Sequence, residues 1–265
     1  MKVCMENFPV FDPVEEARFA VENGFEGFEL AIEYPASTPS QILARRRELL
    51  DVLSSGNLER LAHAPTFVDI SNFYGELREA SVTVTLKAME AAHAIEADVV
   101  VVHPGFRFPL TPRESSFENT VKSMGRLIDA AEEYGFTLGI ENLPPGVFPG
   151  FEYFSLVSDF EELFSRLGSE RLKFTLDIAH ASITNSDPPL KFIGALHERL
   201  IHVHVSDNFG SRDDHFPLGV GRVDYKNPLK ALRERGYNGT VTIEVFTLER
   251  DYLLTSKKKV LQSYG

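Results

Sequence analysis

The sequence predicts a single (β/α)8 barrel of the α/β class, spanning residues 1–265, and three observations lead there. Short β-rich runs alternate with longer amphipathic segments from one end of the chain to the other, as a parallel sheet of βα units requires. Eight such units can be counted, which favours a closed barrel over an open doubly wound sheet. No GxGxxG or phosphate loop follows the first strand to support the open form.

In chain order the strands are expected at 2–6, 27–32, 58–63, 99–103, 137–141, 172–177, 200–205 and 240–245. Several stay apolar until their last residue, the pattern of strands covered on both faces. The helices between them are expected at 13–23, 40–53, 76–96, 115–134, 158–167, 188–197, 228–235 and roughly 249–262. Gly24, Gly135, Gly168 and Gly236 each follow a helical run, where a residue with positive φ ends the helix without a Cβ clash. Two connections, 104–113 and 142–155, are long and rich in Phe, Pro and Gly. Their phenylalanines, Phe106, Phe108, Phe148 and Phe151, either pack loop against loop or line a substrate pocket.

Composition narrows the function. An apolar content of 43% over 265 residues is enough for a full barrel core. A formal charge of −12 argues against a generally basic surface that coats nucleic acid, although a metal-filled groove can still bind a polyanion. Cys4 is the only cysteine, so no internal disulfide and no thiolate cluster can form, and any metal must be held by N and O ligands. Neither a secretory start nor an apolar run of about 20 residues is present, so a cytoplasmic protein without a membrane partner is expected.

The chemistry concentrates at the strand ends. Strands three to eight each finish on a residue able to bind a metal: His63, His103, Glu141, Asp177, His204 and Glu244. A parallel barrel gathers those ends on one rim. A cation is the simplest reason to collect imidazoles and carboxylates there, because without one the carboxylates repel and resist desolvation. His180, three residues after Asp177, and the pair Asp213 and His215 lie just beyond. Such donors suit Zn, Mn, Fe or Co, and nine ligands serve two or three ions, with Glu141 suited to bridging. The competing reading is a mouth closed by hydrogen bonds, with His63, His103 and His180 orienting substrate and the Asp213–His215 run a solvated turn. Asp213 is preferred to Asp214. His93 and His197 read as surface or helix-packing residues. His202 shares the inward face one layer below His204 and is read as a support for it or as structure, and Cys4 as a small apolar strand residue.

Through these residues the chain resembles the xylose-isomerase-like TIM-barrel superfamily, which holds endonuclease IV together with sugar isomerases and epimerases. The matching strings are HAP at His63, HPG at His103, IEN around Glu141, LDIAH from Leu176 to His180, HVHVSDN from His202 to Asn208, DDHFPLGVG from Asp213 to Gly221, and IEVF around Glu244. In the sugar branch the resemblance implies one ion on Glu141, Asp177, His204 and Glu244, with Glu141 and Glu244 also acid and base. In the endonuclease branch it implies three zinc ions. One sits on His63, His103 and Glu141, a second on Glu141, Asp177, His204 and Glu244, and a third on His180, Asp213 and His215.

Two departures turn the expectation away from DNA. The segment ELAIEYPAS after strand two carries Glu29 and Glu33 where the DNA-cleaving members resemble one another in a polar, arginine-bearing loop. Ala64, Pro65, Thr66 and Phe67 follow His63 without the tyrosine of those enzymes. The expectation is therefore a metal-dependent sugar or sugar-phosphate isomerase or epimerase acting through an enediolate, with one to three Zn or Mn ions. Catalysis is assigned to Glu141, Glu244 and His180, and a phosphate to Arg222 or Lys226. The alternative is an abasic-site phosphodiesterase with DNA as partner. A barrel that only binds sugar leaves its row of carboxylates without a use. Oligomeric state is not legible.

Overall fold

The computed structural model describes residues 1–108, 110–146, 152–184 and 186–264. Eight parallel strands form a closed barrel: β1 Lys2–Glu6, β2 Gly27–Ala31, β3 Glu59–His63, β4 Val99–Val102, β5 Thr137–Glu141, β6 Leu172–Asp177, β7 Leu200–Val205 and β8 Thr240–Ile243. Each pairs with its neighbours in chain order, and β8 closes on β1 with Met5 opposite Ile243. The helices α1 Pro13–Glu22, α2 Pro39–Ser55, α3 Gly75–Ala94, α4 Arg113–Tyr134, α5 Val157–Leu167, α6 Pro189–Leu196, α7 Lys226–Glu234 and α8 Asp251–Tyr264 alternate with the strands. The expected elements are present, with ends shifted by a few residues. Gly24, Gly135, Gly168 and Gly236 all have positive φ, as helix-ending residues should. No helix among the described residues is long and apolar enough to cross a membrane.

Period-two alternation divides each strand between two environments. One set of strand residues, among them Val3, Phe28, Leu30, Ala62, Val100, Leu138, Phe174, Val203 and Val241, belongs to the main core between sheet and helices. The other set faces the barrel axis and is unusually polar for a fold that normally fills its interior with branched aliphatics. Cys4, Leu61 and Val99 form a small separate apolar cluster there. Above them lie the fully buried Glu29, Thr175, His202 and Thr242. Gly139 belongs to the same side of its strand, and a Cβ on it would meet Thr175 Oγ1 at 2.2 Å.

This alternation corrects one expectation. Glu29 is not part of an acidic loop after β2. It is the middle residue of the strand and fully buried, because Gly27, Glu29 and Ala31 share the inward side. Glu33 alone of the pair lies in the loop, where its carboxylate accepts from the Tyr34 and Thr66 N–H groups at 3.0 and 2.9 Å and ties the loops after β2 and β3 together.

The two long connections are pinned to each other. Phe106–Arg107 pairs antiparallel with Glu152–Tyr153 as a two-stranded ribbon. Phe106 and Phe108 pack ring to ring at 4.9 Å, and Phe108 meets Phe73 of the β3–α3 loop at 5.2 Å. Loop packing is thus the observed use of these two side chains, while Phe148 and Phe151 lie outside the described residues.

Candidate metal centre

His63, Glu141 and Asp177 close β3, β5 and β6; His103 and Glu244 follow β4 and β8 by one residue, and His204 is the penultimate residue of β7. Parallel pairing brings them to one rim, with Asp177 directly opposite His204. His180 opens a single 3-10 turn after β6, its N–H donating to Asp177 Oδ1. Asp213 and His215 sit in the β7–α7 loop, which is folded back by paired backbone hydrogen bonds between Asp207 and Phe216, each 2.9 Å.

All nine side chains converge, in three groups whose donor atoms lie within 4.8 Å of one another: His63, His103 and Glu141; Glu141, Asp177, His204 and Glu244; His180, Asp213 and His215. Glu141 links the first two. Its Oε2 is 2.9 Å from His103 Nε2 and 3.3 Å from His63 Nε2, and its Oε1 is 3.0 Å from His204 Nδ1. Glu244 Oε2 is 3.2 Å from the same His204 nitrogen. In the third group Asp213 Oδ2 stands between His180 Nε2 at 3.0 Å and His215 Nε2 at 2.8 Å. The neighbouring Asp214 turns instead to Arg212.

Backbone carbonyls aim the rings. The Nδ1–H of His63 donates to the Ala64 carbonyl at 2.7 Å, that of His180 to the Asn142 carbonyl at 2.9 Å, and that of His215 to the Glu244 carbonyl at 3.2 Å. In each case Nε2 is left to face the carboxylates, the arrangement by which an outer partner sets the tautomer of a metal-ligating imidazole. Phe246 stacks on the His215 ring at 4.3 Å, and Phe8 stacks on Phe246 at 5.3 Å.

The clustered acids and imidazoles shift one another's protonation. Burial opposes charge on His63, but its hydrogen bond to Glu141 and the fields of Glu6, Glu141 and Glu244 carry its pKa up to about 9. His215 is carried to about 10, against burial, by Glu244 and Asp213. Burial would also raise Glu141, yet His204 and the hydrogen bonds from His103, His204 and His63 hold it well below the usual carboxylate range. Not every acid can ionise in so small a space. Burial, reinforced by Glu244 and Glu141 over the opposing pull of His180, pushes Asp177 up to about 7. Glu6 is pushed well above its ordinary value by burial and by Glu244. Among the described residues Glu6 Oε2, Asp177 Oδ2 and Asp213 Oδ1 are buried without a hydrogen-bond partner. Unpartnered buried oxygens beside neutral-capable imidazole nitrogens are a donor set that fits a divalent cation such as Zn or Mn.

Sequence reasoning missed three participants. Glu6 ends β1 and was given no role. Asn142 was seen only as part of a motif, and Glu29 was misplaced. His202, read as a layer beneath His204, is there, fully buried, with Nε2 at 2.9 Å from Glu29. His93 and His197 are exposed, and Cys4 is buried among apolar neighbours with its thiol pushed up by burial. Arg222 and Lys226 are exposed, and among the described residues no contact joins either to the nine.

Comparisons with known proteins agree with this architecture. The family described as xylose isomerase-like TIM barrel matches residues 17–263. An uncharacterized protein of Methanocaldococcus jannaschii is 30% identical over 92% of this chain and 81% of its own. Fructoselysine 3-epimerase of Escherichia coli O157:H7 is 24% identical, covering 89% and 86%. A probable endonuclease 4 of Mycobacterium leprae is 27% identical over 70% of this chain and 73% of its own. The crystal structure of a D-tagatose 3-epimerase-like protein superposes with a TM-score of 0.83 at 27% identity, covering 100% of this chain and 98% of the other.

Proposed function

The chain belongs to the xylose isomerase-like TIM-barrel family, and from that premise we propose that it is a divalent-metal-dependent isomerase or epimerase of a sugar or sugar phosphate, working as one catalytic domain. One observation carries the reading: two carboxylates from the ends of different βα units, Glu141 and Glu244, converge on His204 Nδ1 beside Asp177 at a buried barrel mouth. The likeness to fructoselysine 3-epimerase and to the D-tagatose 3-epimerase-like structure supports it.

Glu141, Asp177, His204 and Glu244 would hold the ion. When bound, a cation there supplies positive charge to offset the negative charge that develops on a substrate carbonyl oxygen. Glu141 and Glu244 serve as base and acid, one removing the proton from the carbon between carbonyl and hydroxyl and the other returning it. His180, with Nδ1 held by the Asn142 carbonyl and Nε2 on Asp213 Oδ2 at 3.0 Å, would share that Nε2 with a sugar oxygen.

The test is a panel of ketoses and ketose phosphates incubated in deuterium oxide with protein loaded with manganese or zinc. Deuterium should enter the carbon beside the carbonyl with wild type and fail to enter with Glu244→Gln or Glu141→Gln. A panel without exchange, in a sample shown to hold metal, refutes the reading.

A second reading has its own observation. The third group, His180, Asp213 and His215, and the first, His63, His103 and Glu141, are more ligands than a one-ion isomerase needs and match a three-ion phosphodiesterase. The likeness to a probable endonuclease 4 supports it. Cleavage of a duplex bearing one abasic site by wild type, lost in His204→Ala, would establish it.

A further inference from the structure

Beneath the outer cluster four side chains form a hydrogen-bonded chain inside the barrel. Thr240 Oγ1 is 2.6 Å from His202 Nδ1, and His202 Nε2 is 2.9 Å from Glu29 Oε2. His204 Nε2 is 3.1 Å from Glu29 Oε1 and 3.2 Å from Glu29 Oε2. Glu29, His202 and His204 are fully buried, so no solvent can supply a missing partner.

The donors and acceptors balance in one direction. An ionised carboxylate only accepts. His202 and His204 each give it an Nε2–H, and the Thr240 hydroxyl donates to His202 Nδ1. His204 is thereby left with Nδ1 toward Glu141 and Glu244, 3.0 and 3.2 Å away. His63, His180 and His215 are aimed the other way, by backbone carbonyls on Nδ1. Only a carboxylate supplies both direction and negative charge, and placing one in a barrel interior is costly unless it is matched on every side.

We propose that Glu29, backed by His202 and Thr240, is a positioning residue that holds His204 in the Nε2–H tautomer and presents its Nδ1 lone pair as a ligand at the outer cluster. The inference rests on the reading of Glu141, Asp177, His204 and Glu244 as a cation site. Glu29 touches neither ion nor substrate and acts through His204 alone. A cation held by Glu29, His202 and His204 themselves is the competing use of this group. It would require His204 to ligate through both nitrogens at once or to abandon the outer cluster.

The experiment measures manganese affinity by competition with a chromophoric chelator for wild type, Glu29→Gln, Thr240→Val and His204→Ala, with melting temperatures of the metal-free proteins alongside. Loss of an outer partner of this kind lowers metal affinity by about 10- to 100-fold. That loss is expected for Glu29→Gln, with a smaller one for Thr240→Val. In zinc-loaded protein with 15N-labelled histidine, the imidazole signal absent from His204→Ala should carry its proton on Nε2. A proton on Nδ1 overturns the proposal, and this readout on wild type stands even if Glu29→Gln does not fold. Wild-type affinity in a folded Glu29→Gln, together with a loss in His204→Ala, overturns the positioning role and leaves the cation site intact. Equal affinity in wild type and His204→Ala removes the cation site, and the positioning role with it.

Discussion

Asn142 grips the backbone of Asp177 from both sides, its Nδ2 donating to the Asp177 carbonyl at 3.0 Å and its Oδ1 accepting the Asp177 N–H at 2.8 Å. The clasp joins the ends of β5 and β6, and the Asn142 carbonyl also receives His180 Nδ1–H at 2.9 Å. One residue therefore sets two candidate ligands. Asn142→Ala should lose both bonds and strand a buried N–H, lowering stability by roughly 2–3 kcal/mol. Denaturant midpoints read the effect, and an unchanged midpoint would show that the clasp contributes nothing.

Adding manganese or zinc at about 100 times its dissociation constant should stabilise wild type by about 2.7 kcal/mol and leave His204→Ala unmoved. Differential scanning fluorimetry with and without metal checks this. Equal shifts in both proteins would place the ion elsewhere.

The metal shift should also widen with pH. His63, at about 9, and His215, at about 10, both have folded pKa values raised above the ordinary imidazole value. Their charged forms stabilise the metal-free fold fully below about 6.5, and that stability is lost as pH rises through 9 to 10. A cation needs the same nitrogens unprotonated, so its binding strengthens over the same window. The gap between loaded and metal-free melting temperatures should grow from pH 6 to pH 9. A gap constant with pH would show that these imidazoles do not bind the ion.

Adjacent acids should behave differently. Asp213→Asn breaks two charge-assisted contacts, to His180 and His215, and should cost roughly 1.5–3 kcal/mol at neutral pH while lowering the number of ions bound. Asp214→Asn, whose ion pair is to the exposed Arg212 and not to any of the nine, should cost about 0.5 kcal/mol or less from that pair and keep full metal content. Metal analysis of the two purified variants decides between them.

Glu6 offers a test of opposite sign. Its carboxyl is raised by burial and by Glu244, so folding disfavours its ionised form. An acid raised in the folded state loses stability for the protein as pH climbs above its unfolded value. Metal-free Glu6→Gln should match wild type near pH 4 and be the more stable protein at pH 7. Parallel unfolding curves at both pH values would refute the assignment.

What the sequence determined by itself was the barrel and the nine side chains on its rim. The barrel and the six residues at strand ends follow from local rules: strands covered on two faces read as apolar runs, and a parallel barrel brings every strand's last residue to one end, while His180, Asp213 and His215 were legible only from their motifs. His63, Glu141 and Asp177 could be placed this way because each closes its own strand. Only the tertiary structure decided what holds those residues in position. Glu29 meets His204 across 175 positions of sequence, and nothing local to ELAIEYPAS says that its third neighbour is an imidazole rather than water. The sequence preferred Asp213 to Asp214 on its spacing to His215, but a loop has no periodicity, and it is the fold of the β7–α7 connection that turns one carboxylate toward His180 and the other toward Arg212. Side-chain direction on a strand follows from alternation, but its partner across a closed barrel depends on register and curvature, which no single strand encodes.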